Sequence, residues 1–271
     1  MNNVTNKHEE LIFILNTDKK SYSVEKNDKV NNLTKITIPE TYNSLPVTTI
    51  KKHAFSHCHS LEEIQLPNTI TKIDDCAFCF CYGLRTINLP NNLKHIGDMA
   101  FTQCSNLTSI IIPDSVTFLG ENAFSWNENL EEIKLSKNIK EIKDNTFTNC
   151  DNIESIYIPE GITHIGKNAF ALCNSLSIVS LPETLTHIGK EAFIMCTSLH
   201  TIYLPKGLKV IDDYAFGDCS SIHNVYYGGT KANKYEMDYG YNGMYGNIFL
   251  ERGTWHYESK NPLLNEEKKA L

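Results

Sequence analysis

Three residues raise a chemical question before any other. Cys76 and Cys79, in "DDCAFC", stand two residues apart, and His53 precedes Cys76 by 23 positions. Two thiolates and an imidazole brought together could hold zinc, which takes sulfur and nitrogen ligands in tetrahedral sites. The plainer alternative is two surface cysteines near an incidental histidine, open to oxidation or to pairing between chains. Both readings stand on the sequence, and neither assigns a metal or cofactor outright.

The other seven cysteines follow a different rule. Cys58, Cys81, Cys104, Cys150, Cys173, Cys196 and Cys219 are separated by 23 residues or a multiple of it. A disulfide ladder is disfavoured, because side chains at one phase of a stack run parallel into the core and not toward each other. We read them as inert buried thiols tucked under a turn and bonding its backbone, with Asn127 filling the same phase in the one unit that lacks a cysteine. No disulfide requirement follows, which fits a reducing compartment.

Among the ten histidines, His95, His164 and His187 share a phase. Neighbouring units would place His164 and His187 about 5 Å apart, one strand spacing. That is either chance stacking on a freely varying surface or a pair of imidazoles that repel when charged. Nothing else has the form of a reaction centre: there is no P-loop, G-x-G-x-x-G or H-E-x-x-H, and no nucleophile with an assigned base. We therefore expect no catalytic residues and no enzyme. Twenty-five basic against 32 acidic residues, a net charge of -7, argue against a nucleic-acid partner, whose phosphates select for Lys and Arg. The longest apolar stretch near the start, Leu11 to Leu15, is too short for a membrane span.

These residues must be positioned by a repeat. Units begin at Ile64, Ile87, Ile110, Ile133, Ile156, Val179, Ile202 and Val225, without an insertion, and an earlier unit from Ile36 to Leu61 is longer by five residues. The unit reads L-x-x-I-x-L-P-x-x-L-x-x-I-G-x-x-A-F-x-x-C-x-x. Its first half alternates as a half-buried strand does, and Pro ends that strand because it lacks the N–H the ladder needs. Its second half turns the Leu, Ile, Ala and Phe phases inward around a bend. A single unit cannot bury its apolar face, so the units stack and identical phases form ladders through a core that grows lengthwise. From Ser125 to Thr146 the pattern degenerates: Asn127, Ser136, Lys143 and Thr146 replace the usual Cys, Pro, Gly and Ala. We expect a local irregularity there, with the apolar ladder unbroken.

The motif "I-x-L-P... I-G-x-x-A-F-x-x-C", recurring in phase over residues 31 to 227, resembles the BspA-like leucine-rich repeats. The resemblance implies a leucine-rich repeat right-handed solenoid of the α/β class, rich in strand. A parallel β-sheet would line the concave face, with short strands, turns and helical turns on the other side. Residues 1–30 would form an N-terminal cap, 31–227 the solenoid of eight or nine units, and 228–271 a C-terminal cap and tail. Leu11 to Leu15 and "SYSVEKN" would pair as strands over the first unit, and Ile248, Phe249, Leu250 and Trp255 would close the other end.

Outward phases of the sheet form the free surface. They are polar in the first units, whereas the later ones carry Tyr157, Ile178, His200, Tyr203, His223 and Tyr226. Tyrosine is frequent at interface hot spots, so this set is the expected ligand-binding face, for a protein (host or extracellular-matrix) or a glycan. Cross-strand aromatic pairs that stiffen a sheet are the alternative. The resemblance implies surface adhesion. If Met1 is the natural start, no leader precedes the chain, and an intracellular scaffold or effector is the alternative. A zinc- or redox-responsive binding module is a third.

Overall fold

A computed structural model describes residues 8–240 and 246–262. Short strands alternate with turns in about nine stacked coils. The strand expected in the first half of each unit forms a parallel ladder, running Lys35–Thr37, Glu63–Gln65, Thr86–Ile87, then Ser109–Ile111 with Glu132–Lys134, then Ser155–Tyr157, Ile178–Ser180, Thr201–Leu204 and Asn224–Tyr227. Register follows the period: Ile156 faces Val179 and Ile202 faces Val225.

The second half of each unit adds a second parallel ladder of two-residue strands, Lys72–Ile73, His95–Ile96 and Phe118–Leu119, resuming with Glu141–Ile142, His164–Ile165, His187–Ile188 and Val210–Ile211. The third side of each coil is a ridge of turns. Two residues per coil there take left-handed backbone, for example His53 (φ 58°) and His57 (φ 58°), then Cys76 (φ 53°) and Phe80 (φ 62°). Non-glycine residues avoid that region unless their surroundings hold them. Here the holding group is the next coil: the N–H of His53 donates to Asp75 O at 3.0 Å, of His57 to Cys79 O at 2.9 Å, and of Phe80 to Thr102 O at 2.8 Å.

Inside, the phenylalanines form a continuous stack. Phe55, Phe78, Phe101, Phe124, Phe147, Phe170, Phe193 and Phe216 are wholly buried. Successive rings lie near-parallel with centroids 5.2–5.7 Å apart. The widest step, 5.7 Å, joins Phe124 to Phe147, within the degenerate unit.

That unit is where both ladders are interrupted, the first having also a break between Thr86–Ile87 and Ser109–Ile111. Its Glu132–Lys134 strand pairs only backward with Ser109–Ile111, and its Glu141–Ile142 strand pairs only forward with His164–Ile165. Lys143 stands where Gly97, Gly120, Gly166 and Gly189 stand in other coils, and its Nζ lies 4.6 Å over the Phe118 ring. Lys51, Asp74 and Asp212 occupy this phase without breaking the ladder, the two carboxylates each accepting a neighbour's N–H, from Asp75 at 3.0 Å and Asp213 at 2.8 Å.

Both ends are closed. Leu11–Leu15 pairs antiparallel with Tyr22–Lys26, which joins the second ladder beside Leu45–Ile50. At the other end Thr254–His256 adds to Asn224–Tyr227, Leu250 is wholly buried, and Trp255 packs against the core. The last ridge needs partners that a following coil would supply. The side chain of Asn247, fully buried, stands in for it, accepting from Phe216 N at 2.8 Å and donating to Asp212 O at 3.1 Å.

Candidate functional site

The ladder cysteines take a structural role. From Cys81 onward each thiol donates to the carbonyl of the phenylalanine 26 residues before it: Cys81 to Phe55 O at 3.0 Å, Cys104 to Phe78 O at 3.2 Å, and so on through Cys219 to Phe193 O at 2.9 Å. Asn127 does the same work, its Nδ2 donating to Phe101 O at 3.0 Å and to Phe124 O at 2.9 Å. Burial pushes the Cys81, Cys104, Cys150, Cys173 and Cys196 thiols well above the ordinary range, Cys173 up to about 12, so they carry little of the thiolate that metal binding or nucleophilic attack requires.

Cys76 and Cys79 lie on the ridge, with His53 on the preceding coil. Their ligand atoms, the two sulfurs and one ring nitrogen, all fall within 4.8 Å of one another. Among the described residues this is the one such group of three His, Cys, Asp or Glu side chains. The reading of two surface cysteines needs correcting for Cys79, which is 3% exposed: its phase packs beneath the ridge, where Thr102 and Ser125 are also buried. Burial raises both thiols, Cys79 to about 12.

The histidines of the shared phase lie on the second ladder. The His164 and His187 rings stack with centroids 5.3 Å apart, and His95 stacks on Phe118 at 4.3 Å. Burial holds His187 below the usual imidazole range, with the His164 charge adding to it. Burial likewise lowers His95, followed by the charge of Lys72. Both rings are therefore harder to protonate in the folded chain than in the unfolded one, which takes up its protons near pH ~6.5. Stability should be complete above that pH and fall as pH drops below it, levelling off once the folded-state values are passed. In urea titrations between pH 7.5 and 5, His187→Gln should reduce that loss; an unchanged slope would exclude His187 as a source.

On the first ladder the expected binding residues divide. Tyr157 is 36% exposed, and His200 and His223 are also open, with Ile178 and Tyr226 half-buried. Tyr203 departs from expectation: it is 3% exposed. Its ring lies along the sheet so that Oη donates to Glu183 at 2.6 Å, in space left by Gly228, where a Cβ would come within 2.7 Å of that oxygen. The Tyr226 ring stacks on His256 of the closing strand at 4.5 Å. Tyr203 thus offers no ring to a ligand, and Tyr226 is shared with the cap.

A residue not singled out by its chemistry is more prominent. Ile111, 66% exposed, lies in a groove of about 570 Å³ lined also by Asn88, Pro113, Ser115 and Lys134. Its signal was present in the sequence as the one aliphatic side chain in a column otherwise filled by Gln, Asn, Lys, Ser and Tyr.

The chain belongs to the BspA-type leucine-rich repeat proteins. It matches the BspA type leucine-rich repeat region, in six copies, over residues 27–151 and 94–223. Such repeat proteins are generally non-enzymatic, protein-interaction modules. Among solved structures it is similar to a leucine-rich repeat protein from Bacteroides ovatus, with 21% identity, 92% of this chain and 98% of that one covered, and TM-score 0.40. It is also similar to the Treponema pallidum leucine-rich repeat protein, with 19% identity, 96% and 93% covered, and TM-score 0.45. A third is a leucine-rich cell surface protein from Faecalibacterium prausnitzii, with 19% identity, 95% of each chain covered, and TM-score 0.41. Comparison with curated proteins gave no match. No helix among the described residues is long and apolar enough to cross a membrane.

Proposed function

We propose that this chain is an adhesion-type interaction module that binds a protein or glycan partner through the face of the first strand ladder. The observation that carries the reading is Ile111: a β-branched apolar side chain held open to solvent in a groove with polar walls, on a ladder whose other aliphatic residues are buried or half-buried. Apolar anchors ringed by polar groups are what binding pockets present. Two coils further on, Tyr157 extends the same column, and Ile178, His200, His223 and the accessible edge of Tyr226 continue it toward the cap.

The adhesive reading draws support from the family and from the cell-surface description of the Faecalibacterium protein. A panel of immobilised extracellular-matrix proteins and a glycan array, probed with the wild-type chain, tests it. For any ligand found, Ile111→Lys combined with Tyr157→Ser should weaken binding by about a hundredfold, on the scale of two lost hot spots. Trp126→Ser, on the ridge, should leave affinity unchanged. Unaltered affinity in the folded double variant would remove the sheet face from the account.

A further inference from the structure

We propose that His53, Cys76 and Cys79 form a zinc site that clips two neighbouring coils together on the turn ridge near the N-terminal end. Convergence is the first ground, since one imidazole nitrogen and two sulfurs lie within 4.8 Å of one another. Tetrahedral zinc, at about 2.0–2.3 Å from each ligand, brings its donors to within about 4 Å of each other, so only small side-chain adjustments are needed.

The second ground is the way these positions depart from their columns. In the next three coils the Cys79 phase holds Thr102, Ser125 and Thr148, before Ala171, Ile194 and Gly217 end the run of hydroxyls. The hydroxyl of Thr102 donates to the Asn122 carbonyl at 2.7 Å and that of Thr148 to the Asn168 carbonyl at 2.5 Å, each tying one coil to the next. Cys79 has no hydroxyl to make that bond, and its sulfur lies within 4.8 Å of the Cys76 sulfur instead. The phase shared by His53 and Cys76 is filled by asparagine in three later coils, at Asn122, Asn145 and Asn168. Asparagine is a natural occupant of the left-handed backbone required there. Met99, Glu191 and Tyr214 share the column too, and His53 and Cys76 are the two successive members whose side chains are good zinc ligands.

The third ground is preorganisation. His53 and Cys76 hold left-handed backbone, pinned by N–H donation to Asp75 O at 3.0 Å and to Asp98 O at 2.9 Å. Nearby carboxylates are engaged elsewhere: Asp75 accepts from Asp98 N at 3.1 Å and pairs with Lys52 at 3.3 Å. The donor set is therefore nitrogen and sulfur, which suits zinc and not the oxygen-seeking Mg²⁺ or Ca²⁺. As each sulfur–zinc bond forms, its thiol proton passes to solvent. Three protein ligands leave a fourth position for water or for a donor from a partner.

Cobalt(II) titration of the reduced full chain tests the site. We expect one ion per chain, with the visible bands of tetrahedral cobalt, a sulfur-to-cobalt charge-transfer band, and displacement of both by zinc. Cys76→Ser and Cys79→Ser should each abolish the charge-transfer band, and His53→Gln should weaken binding about tenfold while keeping it. Cys104→Ser, in the buried ladder, should leave the spectrum unchanged. Circular dichroism checks that each variant folds, and if Cys79→Ser does not, the half-exposed Cys76→Ser decides. The proposal fails if the folded, reduced wild type gives no charge-transfer band, or if the band survives Cys76→Ser. It also fails if the chain is isolated with a Cys76–Cys79 disulfide and takes up no cobalt after reduction.

Discussion

Phe147→Ala should destabilise the chain by about 3–5 kcal/mol, the range for truncating a buried phenylalanine, and should split a single unfolding transition into two. The ring is wholly buried between Phe124 at 5.7 Å and Phe170 at 5.4 Å. It sits in the coil that each ladder joins on one side only. In a linear repeat protein the stability is a sum of unit and nearest-neighbour contributions, and cooperativity depends on the weakest interface. With one ladder absent on each side of this coil, its interfaces rely on the other ladder, on ring stacking and on ridge bonds such as Phe124 N to Thr146 O at 2.9 Å. Removing the ring lowers the coupling of a coil that is singly paired on both sides. The two tryptophans report the two halves: Trp126 lies on the ridge before the junction and Trp255 in the closing cap. Single-tryptophan variants, Trp126→Phe and Trp255→Phe, should unfold at one urea concentration in the parent and at two in the Phe147→Ala background. Phe193→Ala, between fully paired coils, should cost a similar amount and keep the transitions together. Coincident midpoints in Phe147→Ala would show that the shift of ladders does not weaken the stack.

Asn127→Ala should cost about 1–3 kcal/mol, whereas Asn127→Cys should match or exceed the wild type. Asn127 is fully buried and its amide nitrogen serves two carbonyls, Phe101 O and Phe124 O. Phe124 O also receives the Cys150 thiol at 3.2 Å, so alanine leaves Phe101 O as the orphan, and an unpaired buried acceptor costs that much. Cysteine restores a donor toward Phe101 and removes Asn127 Oδ1, a buried acceptor with no partner among the described residues. Guanidinium denaturation of the three proteins gives the comparison directly. Equal stability of the alanine and cysteine variants would mean that the thiol-to-carbonyl bonds along this column contribute nothing measurable.

The period carried most of this architecture into view before any coordinates. Buried columns are legible because each of their members is repeated: Phe, Ala and Cys recur where neighbouring coils demand the same shape, and the interchange of Cys with Asn127 follows from a shared ability to donate to a carbonyl. The convergence of His53, Cys76 and Cys79 was legible for the same reason, since subtracting one period names the neighbour. Features that occur once were not. The burial of Tyr203 depends on Glu183 twenty residues before it and on the space left by Gly228, neither of which belongs to its column. Asn247 imitates a coil that does not exist, so no periodicity marks it. The irregularity expected from Ser125 to Thr146 is present as the shift of ladders, but its form was not legible, since Lys51, Asp74 and Asp212 fill the Lys143 phase in coils where the ladder continues.

The central claim is that the face of the first ladder, and not the turn ridge, meets the partner. Benzoylphenylalanine placed at Ile111, and separately at Tyr214 on the ridge, exposed by 66% and 41% respectively, can be irradiated with the ligand identified from the matrix or glycan panel. The account predicts a covalent adduct from position 111 and none from position 214; an adduct from 214 alone would contradict it.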